Sequence, residues 1–285
     1  MEEVYKIAGL KRQVYFSQLK RQRQNTFIET RTIEIVKEFR LRHPSMGSRP
    51  LYHALNIDSM GINKFERLVS CAGLGISRKK LWLKTTDSNH PYRKYSNLTN
   101  GLTLNNVNCL WASDITYWIG SEKNYYLMFM LDIYSRRVIG YLASDNMYAI
   151  NVVKVLGMAV RLRKQWLFKQ LIHHSDKGSQ YCANEYIKAL TEANISISMA
   201  GNSLENPYAE RLNGIIKNDY LVHFNTSSFS KLKKSLTEVV WLYNNERPHS
   251  ELKNMTPVEY EKIIRQQKES ERITMELYDF NKNNK

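Results

Sequence analysis

Apolar positions along the chain change their period at two points. Within residues 1–24, Val4, Ile7, Leu10, Val14, Tyr15 and Leu19 recur at helical spacing among six basic residues. From Thr26, the positions Phe27, Ile28, Ile33, Ile35, Val36 and Phe39 predict a second helix that stops near His43-Pro44. Two short helices come next over 48–56 and 63–72, with Gly61 between them and Ser48 and Asn63 as expected N-caps. Short helices around a glycine-containing turn fit a helix-turn-helix, whose second helix can enter a major groove. Periodicity then lapses over 77–105, which is polar and contains Pro91, and reads as a basic extended linker.

Beyond Val107 the pattern becomes that of strands. Residues 109–118 alternate loosely, 125–133 are almost entirely apolar, and 138–143 make a third strand. The short link 134–137 predicts a hairpin between the second and third. A helix over 148–165, a strand over 171–173, a helix over 184–193 and a strand over 195–199 come next. Then there are helices over 207–220 and 229–245, the last stopped by Pro248. This order predicts an α/β fold, a mixed five-stranded sheet with flanking helices behind a small all-helical region.

Composition supports a folded chain: 285 residues, 42% hydrophobic and 11% aromatic. Charge adds a partner. The formal net charge is +15, and residues 1–100 carry +11 of it, with 19 basic and 8 acidic side chains. A basic segment on a folded chain points to a polyanion, most often nucleic acid. Cys71, Cys109 and Cys182 are far apart in sequence, which suggests neither a disulfide framework nor a thiolate zinc site and suits a reducing cytosol. They read as packing residues. The opening MEEVYKIAGL has no signal-peptide pattern, and the longest apolar run, 125–131, is far short of the roughly 20 residues of a spanning helix.

Three carboxylates stand out from ordinary surface charge. Asp114 lies mid-strand in WASDITYW, Asp176 ends a strand in HHSDKGSQY, and Glu210 lies on the helix NPYAERLNGIIKND. If the fourth strand pairs parallel to the first, the two aspartates become neighbours, and the helix after the fifth strand can lay Glu210 across them. Such a cluster repels itself unless cations enter it, and hard oxygen ligands select Mg²⁺ or Mn²⁺. Glu205 is the competing third carboxylate. His173 and His174 are adjacent, so on a strand they face opposite ways and cannot chelate together. Gly178-Ser179 resembles part of a phosphate loop but lacks the Gly-Lys-Ser pattern.

With these residues in hand, WASDITYW, LDIYSRRVIGY, HHSDKGSQY, ENPYAERLNGIIK and YNNERPHSELKNMTPVEY resemble the catalytic chain of bacterial insertion-sequence transposases. The subtype is the insertion-sequence-three family, whose second-reading-frame product carries a retroviral-integrase-like core. The resemblance covers roughly residues 25–262. It implies a ribonuclease H-like fold whose acidic triad is Asp114, Asp176 and Glu210, holding two Mg²⁺ ions per site with Mn²⁺ as substitute. The implied organisation is a helix-turn-helix-like DNA-binding region over 1–85, a linker over 86–105, the integrase core over 106–265 and a polar tail over 266–285. One departure is visible: 33 residues lie between Asp176 and Glu210, fewer than is usual in the family.

The function so implied is a DNA transposase that cleaves the ends of its element and joins the 3′-hydroxyl to target DNA. The rival readings are a DNA-binding regulator that is idle without an upstream fusion partner, and a ribonuclease H-like nuclease. Expected DNA contacts are Arg49, Arg78, Lys79, Lys80 and Lys84 in the basic region, and Asn213 and Lys217 beside Glu210. Positions 210, 213, 214 and 217 fall along one helical face, with Leu212, Ile215 and Ile216 toward the core. Expected partners are the terminal repeats and target DNA, further copies of the chain, and an upstream-frame protein, in the bacterial cytoplasm at the nucleoid, with no membrane.

Overall fold

The computed structural model describes residues 9, 11–76, 91–120, 123–164 and 170–279. It divides into two units at Ser77.

The first unit is helical. Among the described residues the two helices expected before residue 43 are one, α1 (Arg12–Arg40); Val4, Ile7 and Leu10 of the first lie outside the described residues. No glycine or proline interrupts this stretch, and Thr26 satisfies its hydroxyl on the Gln22 carbonyl one turn back. Two short helices come after it, α2 (Ser48–Ala54) and α3 (Ile62–Cys71). Val36 of α1, Met46, Leu51 of α2, and Phe65 and Val69 of α3 form their common core. The expected caps are displaced, the first by one residue and the second by two. Gly47 and Gly61 hold the N-cap positions in extended conformation, and neither Ser48 nor Asn63 caps with its side chain.

In the second unit the chain forms β1 (Thr103–Leu104), β2 (Leu110–Ile119), β3 (Asn124–Asp132) and β4 (Val138–Ser144). Next along the chain are helix α4 (Ala149–Leu162), β5 (Ile172–Ser175), the short α5 (Ser179–Cys182), α6 (Asn184–Glu192) and β6 (Ser196–Met199). The five long strands order as β4-β3-β2-β5-β6. The predicted hairpin is present, with β3 antiparallel to both β2 and β4. The fourth long strand runs parallel to the first: Leu110, Ala112 and their neighbours pair with 172–174 of β5. This is the mixed sheet of the ribonuclease H-like fold.

Alternation along β2 sorts its side chains onto two cores. Trp111 and Ile115 face α4 and α6 with Met128, Met130, Val152, Val155, Tyr186 and Leu190. Leu110, Ala112 and Trp118 face the other layer, which is built from α7 (Pro207–Gly214), α8 (Phe229–Asn245) and α9 (Pro257–Gln266). Helix α9 is an element that periodicity alone missed. Its start carries a full capping box in which Thr256 and Glu259 satisfy each other's backbone N–H.

Two segments depart from expectation. The stretch expected as linker is, in its second half, part of the core: Leu104 is fully buried, Leu98 N–H donates to Ser198 Oγ at 2.9 Å, and Met199 N–H donates to the Ser96 carbonyl. The polar tail likewise returns to the sheet layer. Its strand β7 (Met275–Glu276) pairs with β1, and Leu277 is buried. Each segment sets a pair of apolar side chains against the core, Leu102 and Leu104 in the first and Met275 and Leu277 in the second, too few to show as a period. Of the cysteines, Cys182 is buried, but Cys109 is part-buried and Cys71 exposed.

Candidate active site

The β2–β5 register sets the first two carboxylates side by side. Ala112 pairs with His174, and two residues further along each strand stand Asp114 and Asp176. Asp114 lies on the face of β2 that α7 covers, and Asp176, just beyond the paired strand, is near enough for its charge to act on Asp114. Asp176 sits just past the last residue of β5, where its Oδ1 accepts the Gly178 N–H at 3.0 Å and shapes the turn into α5.

Helix α7 brings the third. Its approach is fixed at its first turn, where the buried Asn206 donates to the Ser113 carbonyl of β2 at 3.0 Å and Pro207 opens the helix. Ala209 and Leu212 pack into the core, leaving Glu210 on the open side. One turn on, Asn213 Nδ2 donates to Asp114 Oδ2 at 2.6 Å, and Lys217 Nζ donates to Thr116 Oγ1 at 3.1 Å. The helix thus runs along β2, touching Ser113, Asp114 and Thr116 in order.

The continuous α-helix expected to Tyr220 ends at Gly214. Ile215–Tyr220 form a π-helical turn and Leu221–His223 a 3₁₀ turn. A π-turn inserts a residue into the ladder and re-aims the side chains beyond it. Lys217 still reaches β2, and Leu212 and Ile216 are buried as anticipated. Gly214 is not there for tight packing: a Cβ placed on it meets nothing within 4 Å. Asn213 is corrected too. Expected at a DNA phosphate, its amide is buried on Asp114.

Electrostatics mark the cluster. Burial first, then the Asp176 carboxylate and more weakly that of Glu210, push the Asp114 pKa well above the usual range, against the Ile115 N–H and the Asn213 amide. Burial raises Glu210 as well. Lys217 is lowered by burial, an effect that the Asp114 charge opposes. The donor set is oxygen only, which fits a hard divalent cation. His174, the nearest imidazole in sequence, is held elsewhere by Ser198 Oγ at 2.8 Å and the Glu205 carbonyl at 3.1 Å. His173 faces the opposite core with Ser113 and Tyr186, as alternation requires. Among the described residues, no three His, Cys, Asp or Glu side chains stand close enough together to grip an ion as placed.

Glu205 is otherwise engaged. Its carboxylate accepts from Gly201 N–H at 2.8 Å, Asn202 Nδ2 at 3.1 Å and Asn97 Nδ2 at 2.5 Å, bracing the loop before α7. The shortened spacing after Asp176 therefore leaves Glu210 within the field of Asp114. In the helical unit, Arg49 is exposed and paired with Glu66 through two contacts of 3.1 and 3.3 Å. Arg78, Lys79, Lys80 and Lys84 lie outside the described residues.

A mixed five-stranded sheet with two aspartates on adjacent parallel strands and a glutamate on a covering helix defines the class, a ribonuclease H-like core. Residues 105–202 and 191–257 match two integrase core domain families. An uncharacterized 31 kDa protein of insertion element IS600 from Shigella sonnei is 32% identical over 205 residues, 70% of this chain and 75% of that one. The transposase for insertion sequence element IS629 from the same organism is 28% identical over 235 residues, 80% and 78% of the two chains. The putative transposase InsK of IS150 from Escherichia coli K12 is 33% identical over 154 residues, 53% of each. The catalytic core domain of HTLV-2 integrase, solved in complex with magnesium, is 21% identical and aligns with 58% of this chain and 99% of that one at a TM-score of 0.44. The chain belongs to the integrase-core transposases of bacterial insertion sequences.

Proposed function

We propose that the protein cleaves the 3′ ends of an insertion element and joins the freed hydroxyl to a phosphodiester of target DNA. The observation that supports this is the position of Asp114 and Asp176 beside helix α7, which carries Glu210, with the Asp114 carboxyl raised first by burial and then by the Asp176 and Glu210 charges. Asp114, Asp176 and Glu210 would hold Mg²⁺, with Mn²⁺ as substitute and two ions per site. Bound there, the ions supply activation of the attacking oxygen and stabilisation of the leaving one at phosphorus.

The chain's own groups do the rest. Asn213 orients Asp114 through its amide, so one carboxylate oxygen keeps a fixed direction. Lys217, two residues along β2 from Asp114 by way of Thr116, offers an ammonium to a phosphate. Gly214 leaves open space between them, into which a DNA backbone can come. The first unit and the basic stretch after it, with Arg49, Arg78, Lys79, Lys80 and Lys84, supply phosphate contacts, and their charge governs the salt dependence. Several copies act together on paired ends, in the bacterial cytoplasm.

The test is a strand-transfer assay on labelled element ends with the full chain and Mg²⁺. Joined product that is lost with chelator and not restored by Zn²⁺ alone is expected. Cutting without joining would indicate a nuclease, and binding without either would indicate a regulator. Running the assay with and without an upstream-frame product shows whether that product is required.

A further inference from the structure

We infer that Arg136 and Tyr208 are positioning residues for Glu210, a clamp from the β3–β4 turn that sets the first turn of α7; this rests on Glu210 being the third carboxylate of the site. Arg136 occupies the hairpin turn with φ of 58°, in the left-handed region where glycine or asparagine is the ordinary choice. An arginine at this position needs a reason, and its side chain supplies one. It is almost fully buried, with its guanidinium 4.1 Å from the centre of the Tyr208 ring. The same group pairs with Glu251 Oε2 at 2.6 Å and approaches Met275 Sδ at 3.8 Å.

Four separate pieces of chain meet at this one side chain: the hairpin turn, the start of α7, the 3₁₀ turn Ser250–Leu252 after α8, and β7. Tyr208 is the second residue of α7, two before Glu210. Glu210 itself is exposed, and its carboxylate receives no hydrogen bond from the described residues that would fix it directly. Its location relative to Asp114 therefore depends on where the helix lies. Two anchors set that: Asn206 on the Ser113 carbonyl, and Tyr208 under the guanidinium. The first grips the backbone at the helix entrance, and the second holds the helix against sliding along the sheet. Glu251, by pairing with Arg136, keeps the guanidinium plane over the ring.

The experiment uses the full chain and two readouts. One is Mn²⁺ binding to DNA-free protein, followed by electron paramagnetic resonance of the free ion. The other is the Mg²⁺ concentration that half-saturates strand transfer. Arg136→Gly removes the side chain while suiting the backbone. Tyr208→Leu removes the ring, and Tyr208→Phe keeps it. Arg136→Gly and Tyr208→Leu should each weaken metal binding by about 10-fold, the scale seen when an outer partner of a ligand is lost. Joining at saturating metal should remain, and Tyr208→Phe should match the parent. The double variant should be no worse than the weaker single, because the two residues act through one contact. Unchanged metal affinity in Tyr208→Leu overturns the inference, as does a double variant whose losses simply add. If Arg136→Gly does not fold, the Tyr208→Leu and Tyr208→Phe pair decides alone. If Glu210→Gln leaves metal binding and joining intact, the assignment of the third carboxylate has failed, whatever the clamp variants do.

Discussion

Two acidic clusters lie on neighbouring strands only a few residues apart, and the chain treats them oppositely. Asp132 at the end of β3 pairs with Trp111 of β2, three residues from Asp114. It accepts hydrogen bonds from Asn108 N–H at 2.7 Å and from Ser135 N–H and Oγ at 3.0 Å, and Arg163 stands 3.9 Å away. Beside it, Glu261 of α9 is paired with Arg163 and, at 2.5 Å, with Arg137. Two carboxylates face two guanidinium groups, all but Arg137 almost wholly buried. Burial raises Asp132 despite Arg163, and against its own burial Glu261 is held below the usual range by Arg163 and Arg137. Around Asp114 three carboxylates gather, and burial and their mutual repulsion push it up even with Lys217 near. A neutralised cluster ties elements together, here the β3–β4 hairpin, the end of α4 and helix α9. An unneutralised one leaves charge for something that arrives later.

The sharpest way to break this contrast is to remove one carboxylate from each cluster. Asp114→Asn or Glu210→Gln should lower strand transfer roughly 10³-fold or more, as loss of a group acting within a catalytic unit does. DNA affinity by fluorescence anisotropy should hold. Near-normal joining by Glu210→Gln, with Glu205→Gln inactive, would move the third ligand to Glu205.

At the other cluster the effect belongs to stability. Glu261→Ala strands Arg163 and Arg137 and should cost about 3–5 kcal/mol in urea unfolding. Asp114→Asn, which removes a repelled charge and keeps the Asn213 contact, should cost none. Equal losses from both variants would show that the clusters do not differ.

Acid should sharpen the comparison with buried groups of a third kind. Burial, with His174 nearby, holds the His173 pKa down to about 3. Burial, then Arg247, Arg136 and Arg211, hold His249 at about 3. The unfolded chain takes up these protons first, so their contribution is intact above pH 6.5 and is lost as pH falls from there toward 3. The slope is up to about 1.4 kcal/mol per pH unit for each imidazole. Unfolding free energy measured across that window should fall less steeply in His249→Gln, and an identical slope would refute the assignment.

The smallest effect is expected at Gly214. Alanine fits its helical backbone and its open surroundings, so Gly214→Ala should add about 0.4–1 kcal/mol to stability. If DNA backbone comes close there, affinity for duplex should drop together with that gain. Unaltered affinity would leave the open space without a role in binding.

Much of this is legible in the residues alone. The near-continuous apolar run of β3, the loose alternation of β2 and the helical periods after Tyr148 each come from one strand or helix burying its own face, and such patterns are local. Asp114 and Asp176 stand out because a carboxylate within or at the end of an apolar strand breaks that local pattern. The order of the elements is enough to expect a mixed sheet, and the motif WASDITYW and its companions carry the family. What the sequence could not decide was everything that depends on two distant segments meeting. Leu104 joins the core, and the backbones of Ser96 and Leu98 bond to β6, only because β7 and β6 lie beside them. Asn213 turns to Asp114 rather than to solvent because α7 is pinned at Asn206, 93 residues from its partner Ser113. The break of α7 into a π-turn, the engagement of Glu205 by Asn97 and Gly201, and the stacking of Arg136 on Tyr208 have the same cause. A side chain's role is set by whichever group the tertiary fold places against it, and a periodicity along one segment holds no record of the other.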